Sequence, residues 1–226
     1  MGKKAVFWDF DGTLVNPNES FVWALGEALN EYGYTVDEDT IRTFLNGVYS
    51  WKNTHIDYVD RTGDKWWEDL FVHVRMFCIA NGVAVTDLDA VCCKFRNEVV
   101  GRKYQIYDDA EETLAFCKKK GYENYVLSNN YPELVNVIER MGLSAYFKEI
   151  FVSGCIGYEK PRLELFSYAL ERAGHPEVCY MVGDNPVADI QGGNAAGMRT
   201  AFVHKDEPSE ANWNFSTLSA LKSVLE

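Results

Sequence analysis

Apolar residues follow two rhythms along this chain. Ala5-Val6-Phe7-Trp8 is a short unbroken apolar run rich in β-formers, the pattern of a strand buried on both faces. It stops at Asp9. Beyond it the spacing lengthens to that of helices. Phe21, Leu25, Ala28, Leu29 and Tyr32 share one helical face that Gly33 closes. Asp37 is placed to cap a second helix carrying Ile41, Phe44 and Leu45. Residues 46–65 have little period. A third helix is predicted over Lys65–Ala80, with Trp67, Leu70, Phe71, Val74, Phe77 and Cys78 on its apolar side. A fourth follows Thr86, with Val91, Phe95 and Val99. No convincing strand interrupts residues 16–104.

From Ile106 the rhythm alternates. Asp108 or Asp109 can cap a helix through Leu114 and Cys117, with Lys118-Lys119-Lys120 at the end that suits its dipole. The strand Tyr125-Val126-Leu127 ends in Ser128-Asn129-Asn130. Pro132 opens a helix to Met141, and Ile150-Phe151-Val152 forms another strand. Pro161 opens a helix that stops at Gly174. Val178–Val182 is a strand ending in Gly183-Asp184, followed by a short helix over Asp189–Ala196. Thr200–Val203 is a last strand, and Ser216 or Thr217 caps a C-terminal helix. Alternating strands and helices imply a parallel sheet covered on both faces. The fold class is therefore α/β, with residues 1–15 and 105–226 forming one core and 16–104 an inserted helical cap domain.

The composition changes this picture little. At 226 residues, 47% hydrophobic and 25% charged, the chain supports a sizeable core. The formal net charge of −12 repels phosphate backbones, which argues against nucleic-acid partners. An anionic ligand therefore needs local positive charge in its site. The six cysteines have no metal-ligand spacing and read as buried free thiols in a reducing compartment. The first apolar run is too short for a signal peptide or membrane span, and Val6 stands where a myristoylation signal wants Ser or Thr. A cytoplasmic protein with no membrane partner is expected.

The strand ends carry the chemistry. Asp9-Phe10-Asp11-Gly12-Thr13 puts two acids two residues apart where the first strand breaks up. Carboxylates that close repel unless a cation or a shared proton intervenes, so the pair suggests a hard metal ion and acid–base work. Ser128-Asn129, Lys160 before Pro161, and Gly183-Asp184 with Asp189 would lie on the same sheet edge, where α/β sheets bind ligands. Taken singly, each has a plain structural reading. Asp184 can cap a helix, Asp189 can be a solvated acid, Ser128 a turn hydroxyl and Lys160 a surface lysine. Their joint placement with Asp9 and Asp11 favours a site.

These four motifs, in this order, resemble those of the haloacid dehalogenase superfamily, in its phosphatase branch with a helical cap of the C1 type inserted after the first motif. The resemblance spans essentially the whole chain. Arg162 stands where relatives often carry an acid. The resemblance implies a Rossmann-like three-layer core and a Mg²⁺-dependent phosphatase acting on a small phosphate monoester. By that resemblance Asp9 is the nucleophile that forms an aspartyl-phosphate. Asp11 protonates the leaving oxygen, then activates water. Asp9, Asp184, the Asp11 carbonyl and Asp189, nearby or directly, hold Mg²⁺. Ser128, Asn129 and Lys160 bind phosphate. A phosphomutase acting on a sugar phosphate uses the same core, and a catalytically idle phosphate-binding protein is the remaining alternative. A dehalogenase is disfavoured by the second acid, Asp11.

The cap is less legible. Trp51, Lys52 and His55 fall where related caps present their specificity loop, although aromatics and cations there are also ordinary core and surface residues. The expected partner is a small-molecule phosphate ester bound by a monomer or small homo-oligomer.

Overall fold

The computed structural model describes residues 2–17, 19–205 and 207–225, the side chain of Trp51 excepted. Strand β1 (Lys4–Trp8) lies in the middle of a six-stranded sheet. Its side chains alternate between two cores, Val6 and Trp8 in one, Ala5 and Phe7 in the other. That double burial is why its apolar run is unbroken. β1 pairs in parallel with β2 (Tyr122–Ser128) and β4 (Val178–Gly183), and Trp8 stands opposite Val126 and Val182. With β3 (Glu149–Val152), β5 (Arg199–Val203) and β6 (Trp213–Phe215), the order is β3-β2-β1-β4-β5-β6, every pairing parallel. The chain winds from β1 to one edge, then returns to the other side through β4. The reversal between β1 and β4 opens a crevice at the carboxyl ends of both strands.

Four helices follow β1 within residues 16–104: α1 (Ser20–Glu31), α2 (Glu38–Val48), α3 (Asp64–Ala80) and α4 (Leu88–Gly101). As the sequence suggests, Asp37 caps α2, accepting from the Thr40 amide at 2.8 Å. After them come α5 (Ala110–Lys119), α6 (Leu134–Arg140), a single turn α7 (Ser153–Ile156), α8 (Leu163–Arg172) and the short α9 (Gly192–Ala195). α8 covers one sheet face, its Leu165, Phe166 and Ala169 packing in one core with Phe7, Tyr125, Phe151 and Met181. α5 and α6 cover the opposite face with Leu114, Cys117, Leu134 and Ile138. Two covered faces make the three-layer α/β architecture.

The larger core runs on without a break into the helical segment. The Phe21 ring lies 6.1 Å from Trp67, 5.9 Å from Phe95 and 5.9 Å from Tyr131, the last on the loop after β2. Burying one such side chain contributes about 1.5–3 kcal/mol. The chain leaves and re-enters the α/β layers at one place. The Asn16 amide donates to the Gln105 carbonyl at 2.8 Å, and the Tyr107 amide to the Leu14 carbonyl at 3.1 Å.

Several boundaries differ from the sequence expectation. The helix after Pro161 begins at Leu163, because residues 159–162 form a turn closed by the Arg162 amide on the Glu159 carbonyl at 2.9 Å. The Asp109 side chain does not cap α5; its carboxylate accepts from the Ser219 amide at 2.8 Å and ties down the C-terminal segment. That segment is a 3₁₀ turn over Leu218–Ser223, and Thr217 gives it no side-chain cap. The helix expected over 189–196 is a wide π-type turn, Pro186–Gln191, running into α9. β6 escapes sequence reading because three residues are too few to show alternation. The thiols also need correction. Cys78, Cys92 and Cys117 are buried, but Cys93 and Cys155 are exposed and Cys179 is half-buried. Successive residues on a helix point about 100° apart, so Cys92 reaches the core while Cys93 faces solvent. No helix among the described residues is long and apolar enough to cross a membrane.

Candidate active site

Asp9 leaves β1 still in register, its amide donating to the Val182 carbonyl at 2.9 Å. The chain then turns at once. The Gly12 amide donates to the Val15 carbonyl and the Leu14 amide to the Phe10 carbonyl, both at 2.9 Å. Gly12 sits at φ +80°, and a Cβ there would stand 2.5 Å from the Asp184 carboxylate. The glycine thus lets the tip of β4 close on the tip of β1. Gly183 does the same for Asp189, whose carboxylate lies 2.1 Å from where a Cβ would be.

These approaches gather the expected residues around one crevice of about 390 Å³. Asp9, Asp11, Ser128, Asn129, Lys160, Asp184 and Asp189 all line it. Lys160 is the hub. It is 2% exposed, and its ammonium donates to Asp9 Oδ1 at 2.8 Å, Asp189 Oδ1 at 2.6 Å and the Leu127 carbonyl at 2.8 Å. An ammonium has three protons, and all are engaged. Burial alone would lower the Lys160 pKa; Asp189 and Asp9 together outweigh it and hold the ammonium firmly charged. Asn129 clamps this lysine from behind. Its Oδ1 accepts from the Lys160 amide at 2.6 Å and its Nδ2 donates to the Lys160 carbonyl at 3.0 Å. Both polar ends of the Asn129 side chain are thereby committed to the lysine's backbone.

The acids divide by environment. Burial, then the charge of Asp9, raises Asp11 to about 7, against the opposing pull of its hydrogen bond from Asn130. Burial and Asp9 raise Asp184 to about 6, while Lys205, 3.5 Å away, pulls the other way. Oxygens of Asp9, Asp184 and Asp189 all lie within 4.8 Å of one another. Such a thiol-free, all-oxygen set fits a hard cation such as Mg²⁺. Asp189 already uses Oδ1 on Lys160 and accepts from the Asn185 amide on Oδ2 at 3.0 Å. Its carboxylate orients the lysine, leaving Asp9 and Asp184 as the side chains with the freer oxygens.

The fold and the motif geometry agree with a comparison against protein families. Residues 3–197 match the model described as haloacid dehalogenase-like hydrolase. The chain is a haloacid dehalogenase-like hydrolase. It is 26% identical over 211 residues to mouse haloacid dehalogenase-like hydrolase domain-containing protein 3, covering 90% of this chain and 83% of the relative. It is 28% identical over 208 residues to the glyceraldehyde 3-phosphate phosphatase of Methanothermobacter thermautotrophicus, covering 90% and 86%. Among solved structures, the HAD-hydrolase YfnB of Bacillus subtilis, described as bound to magnesium, superposes with a TM-score of 0.77 at 22% identity, covering 100% of this chain and 99% of that one. That similarity is one of fold.

On the helical side of this hydrolase's crevice, Lys52 lines the wall with Asn46 and Tyr49. His55 is not part of it. It is exposed, and its backbone carbonyl accepts from Arg162 at 3.4 Å. The Trp51 side chain lies outside the described residues. Trp66 and Trp67 are core residues, 6% and 0% exposed. Sequence reasoning missed Arg42 and Glu19, which line the crevice as a bidentate pair at 2.7 and 2.8 Å. It also missed Asn130, Tyr104 and Tyr131, which stand beside Asp11. Asn130 alone had a signal, as the third polar residue after a strand.

Proposed function

We propose that this hydrolase is a Mg²⁺-dependent phosphatase of small phosphate monoesters that works through an aspartyl-phosphate at Asp9. The observation that carries this reading is the juxtaposition of two differently held acids. Asp9 is fixed by the Lys160 ammonium at 2.8 Å, whereas Asp11, two residues on, is raised to about 7 by burial and by Asp9. One is suited to attack as a carboxylate, the other to hold a proton near neutral pH.

In the first step an Asp9 oxygen forms a bond to phosphorus as the bond from phosphorus to the ester oxygen breaks. The proton on Asp11 passes to that leaving oxygen, which departs as an alcohol. In the second step Asp11 takes a proton from water as the water oxygen attacks phosphorus, releasing inorganic phosphate and restoring the Asp9 carboxylate. Lys160 holds Asp9 in place and offsets the charge of an anion approaching an anion. Ser128, 1% exposed at the end of β2 and lining the crevice, would receive a phosphoryl oxygen. Bound Mg²⁺, held by Asp9, Asp184 and the Asp11 carbonyl with Asp189 behind them, would neutralise phosphoryl charge. The segment 16–104 would act as the cap domain, closing the crevice against water and holding the organic part of the substrate.

Phosphate release from a panel of sugar phosphates, nucleotides and small organic phosphates tests the reading. Turnover should vanish in chelator and return with Mg²⁺, and Asp9→Asn should abolish it for every substrate. Full activity of the metal-stripped protein in chelator would sink the mechanism. Conversion of a sugar phosphate to its isomer without phosphate release would mark a phosphomutase instead.

A further inference from the structure

Asn130 has no place in the scheme above, yet every polar group it owns is engaged. It is 4% exposed, on the loop between β2 and α6. Its amide donates to Ser153 Oγ at 2.9 Å, and its carbonyl accepts from the Gly154 amide at 3.0 Å. Gly154 is required there, since a Cβ would stand 2.7 Å from the Asn130 carbonyl. The backbone of residue 130 is thus clamped by the turn after β3. The side chain is as constrained. Oδ1 accepts from the Tyr131 amide at 3.0 Å, which leaves Nδ2 to face Asp11, and Nδ2 donates to Asp11 Oδ2 at 2.6 Å. Turning the amide over would set its NH₂ against the Tyr131 N–H and lose that bond, so the Tyr131 amide fixes which end faces Asp11.

We propose that Asn130 is a positioning residue for Asp11: its amide pins Oδ2 and so makes Oδ1 the oxygen that gives and takes the catalytic proton. An oxygen accepting a hydrogen bond from Nδ2 does not also present its own proton along that line. A protonated Asp11 held this way carries its hydrogen on Oδ1, with the carboxyl plane set by the clamped loop. The same oxygen, once it has given up its proton to the leaving group, is the base for water. This role rests on the reading of Asp11 as the leaving-group acid.

Leaving-group dependence separates positioning from general structure. An alkyl phosphate needs a proton on its leaving oxygen, whereas p-nitrophenolate departs without one. Asn130→Ser keeps a short acceptor for the Tyr131 amide but cannot reach Asp11; Asn130→Ala removes both. Each is compared with Asp11→Asn in kcat/KM, with circular dichroism and melting to show that the variants fold. Asn130→Ser and Asn130→Ala should lose about tenfold or more on the alkyl phosphate and far less on p-nitrophenyl phosphate, a part of the roughly 10²–10⁴-fold that a placed acid supplies. In the double variant with Asp11→Asn, Asn130→Ser should cost the alkyl phosphate nothing further, because the two act through one proton. A split in Asp11→Asn with none in folded Asn130→Ser, or an additive loss in the double variant, overturns the role of Asn130 alone. Equal losses on both substrates in Asp11→Asn overturn the reading of Asp11 and this role with it.

Discussion

The two walls of the crevice are built on opposite terms. On the sheet side the charges are buried and closed into a network. Lys160 is 2% exposed, Asp189 is 0%, and each hydrogen bond of the ammonium has a named acceptor. On the helical side the charges are exposed or spent on each other. Arg42 is held by Glu19, Glu38 and Asp39, all largely solvated, while the Lys52 ammonium has no ion pair among the described residues. The difference follows from solvation. A buried charge must find its partners within the fold, because leaving it alone costs several kcal/mol. An exposed charge is solvated by water and can change partners. The sheet wall therefore holds its charges in one arrangement, whereas the charges of the helical wall can change partners.

The largest expected effect breaks the closed network. Lys160→Met leaves Asp9 and Asp189 buried without their cation, and breaking a buried pair in this way costs about 3–5 kcal/mol. Denaturant unfolding in chelator should show that loss, and kcat should fall by about 10²-fold or more on every substrate. A variant with wild-type stability and turnover would mean that the network is dispensable.

A smaller effect is expected on the open wall. Lys52→Ala should change kcat/KM by less than about tenfold, since an exposed ion pair is worth about 1 kcal/mol or less. The loss should be confined to substrates whose organic part is anionic, and it should shrink as salt rises. If neutral and anionic substrates lose equally, the helical wall does not select by charge.

The smallest effect lies at the seam between the two walls. Glu159, next to Lys160, is fully buried; its Oε1 accepts from Tyr58 and, at 2.6 Å, from Ser50, while Oε2 has no hydrogen-bond partner among the described residues. Burial raises its pKa above the ordinary 4.5, so above that pH the folded chain keeps a proton that the unfolded chain has lost. Stability from this group is therefore present at low pH and falls as pH rises. Glu159→Gln, neutral at every pH, should melt above the wild type at pH 8, with the gap closing towards pH 5. A gap independent of pH would show that Glu159 does not titrate across the seam.

Which residues meet at one crevice was legible from the chain alone, because strand ends in a parallel sheet share an edge. Asp9, Asp11, Ser128, Lys160 and Asp184 follow strands or open turns, and each strand announced itself by its apolar run. The same rule located the crevice without coordinates. What a side chain touches was not legible. Nothing in the local pattern says that Asn129 holds the Lys160 backbone, or that Asn130, its neighbour of the same type, holds Asp11. The two amides diverge because successive residues leaving a strand point to different sides, and their partners lie 31 and 119 residues away. His55 and Lys52 likewise looked equivalent in the sequence, yet only Lys52 lines the crevice. Periodicity records which face of an element is buried. Which distant groups meet across that face is decided only when the sheet assembles and the helical segment closes its core around Phe21, Trp67, Phe95 and Tyr131.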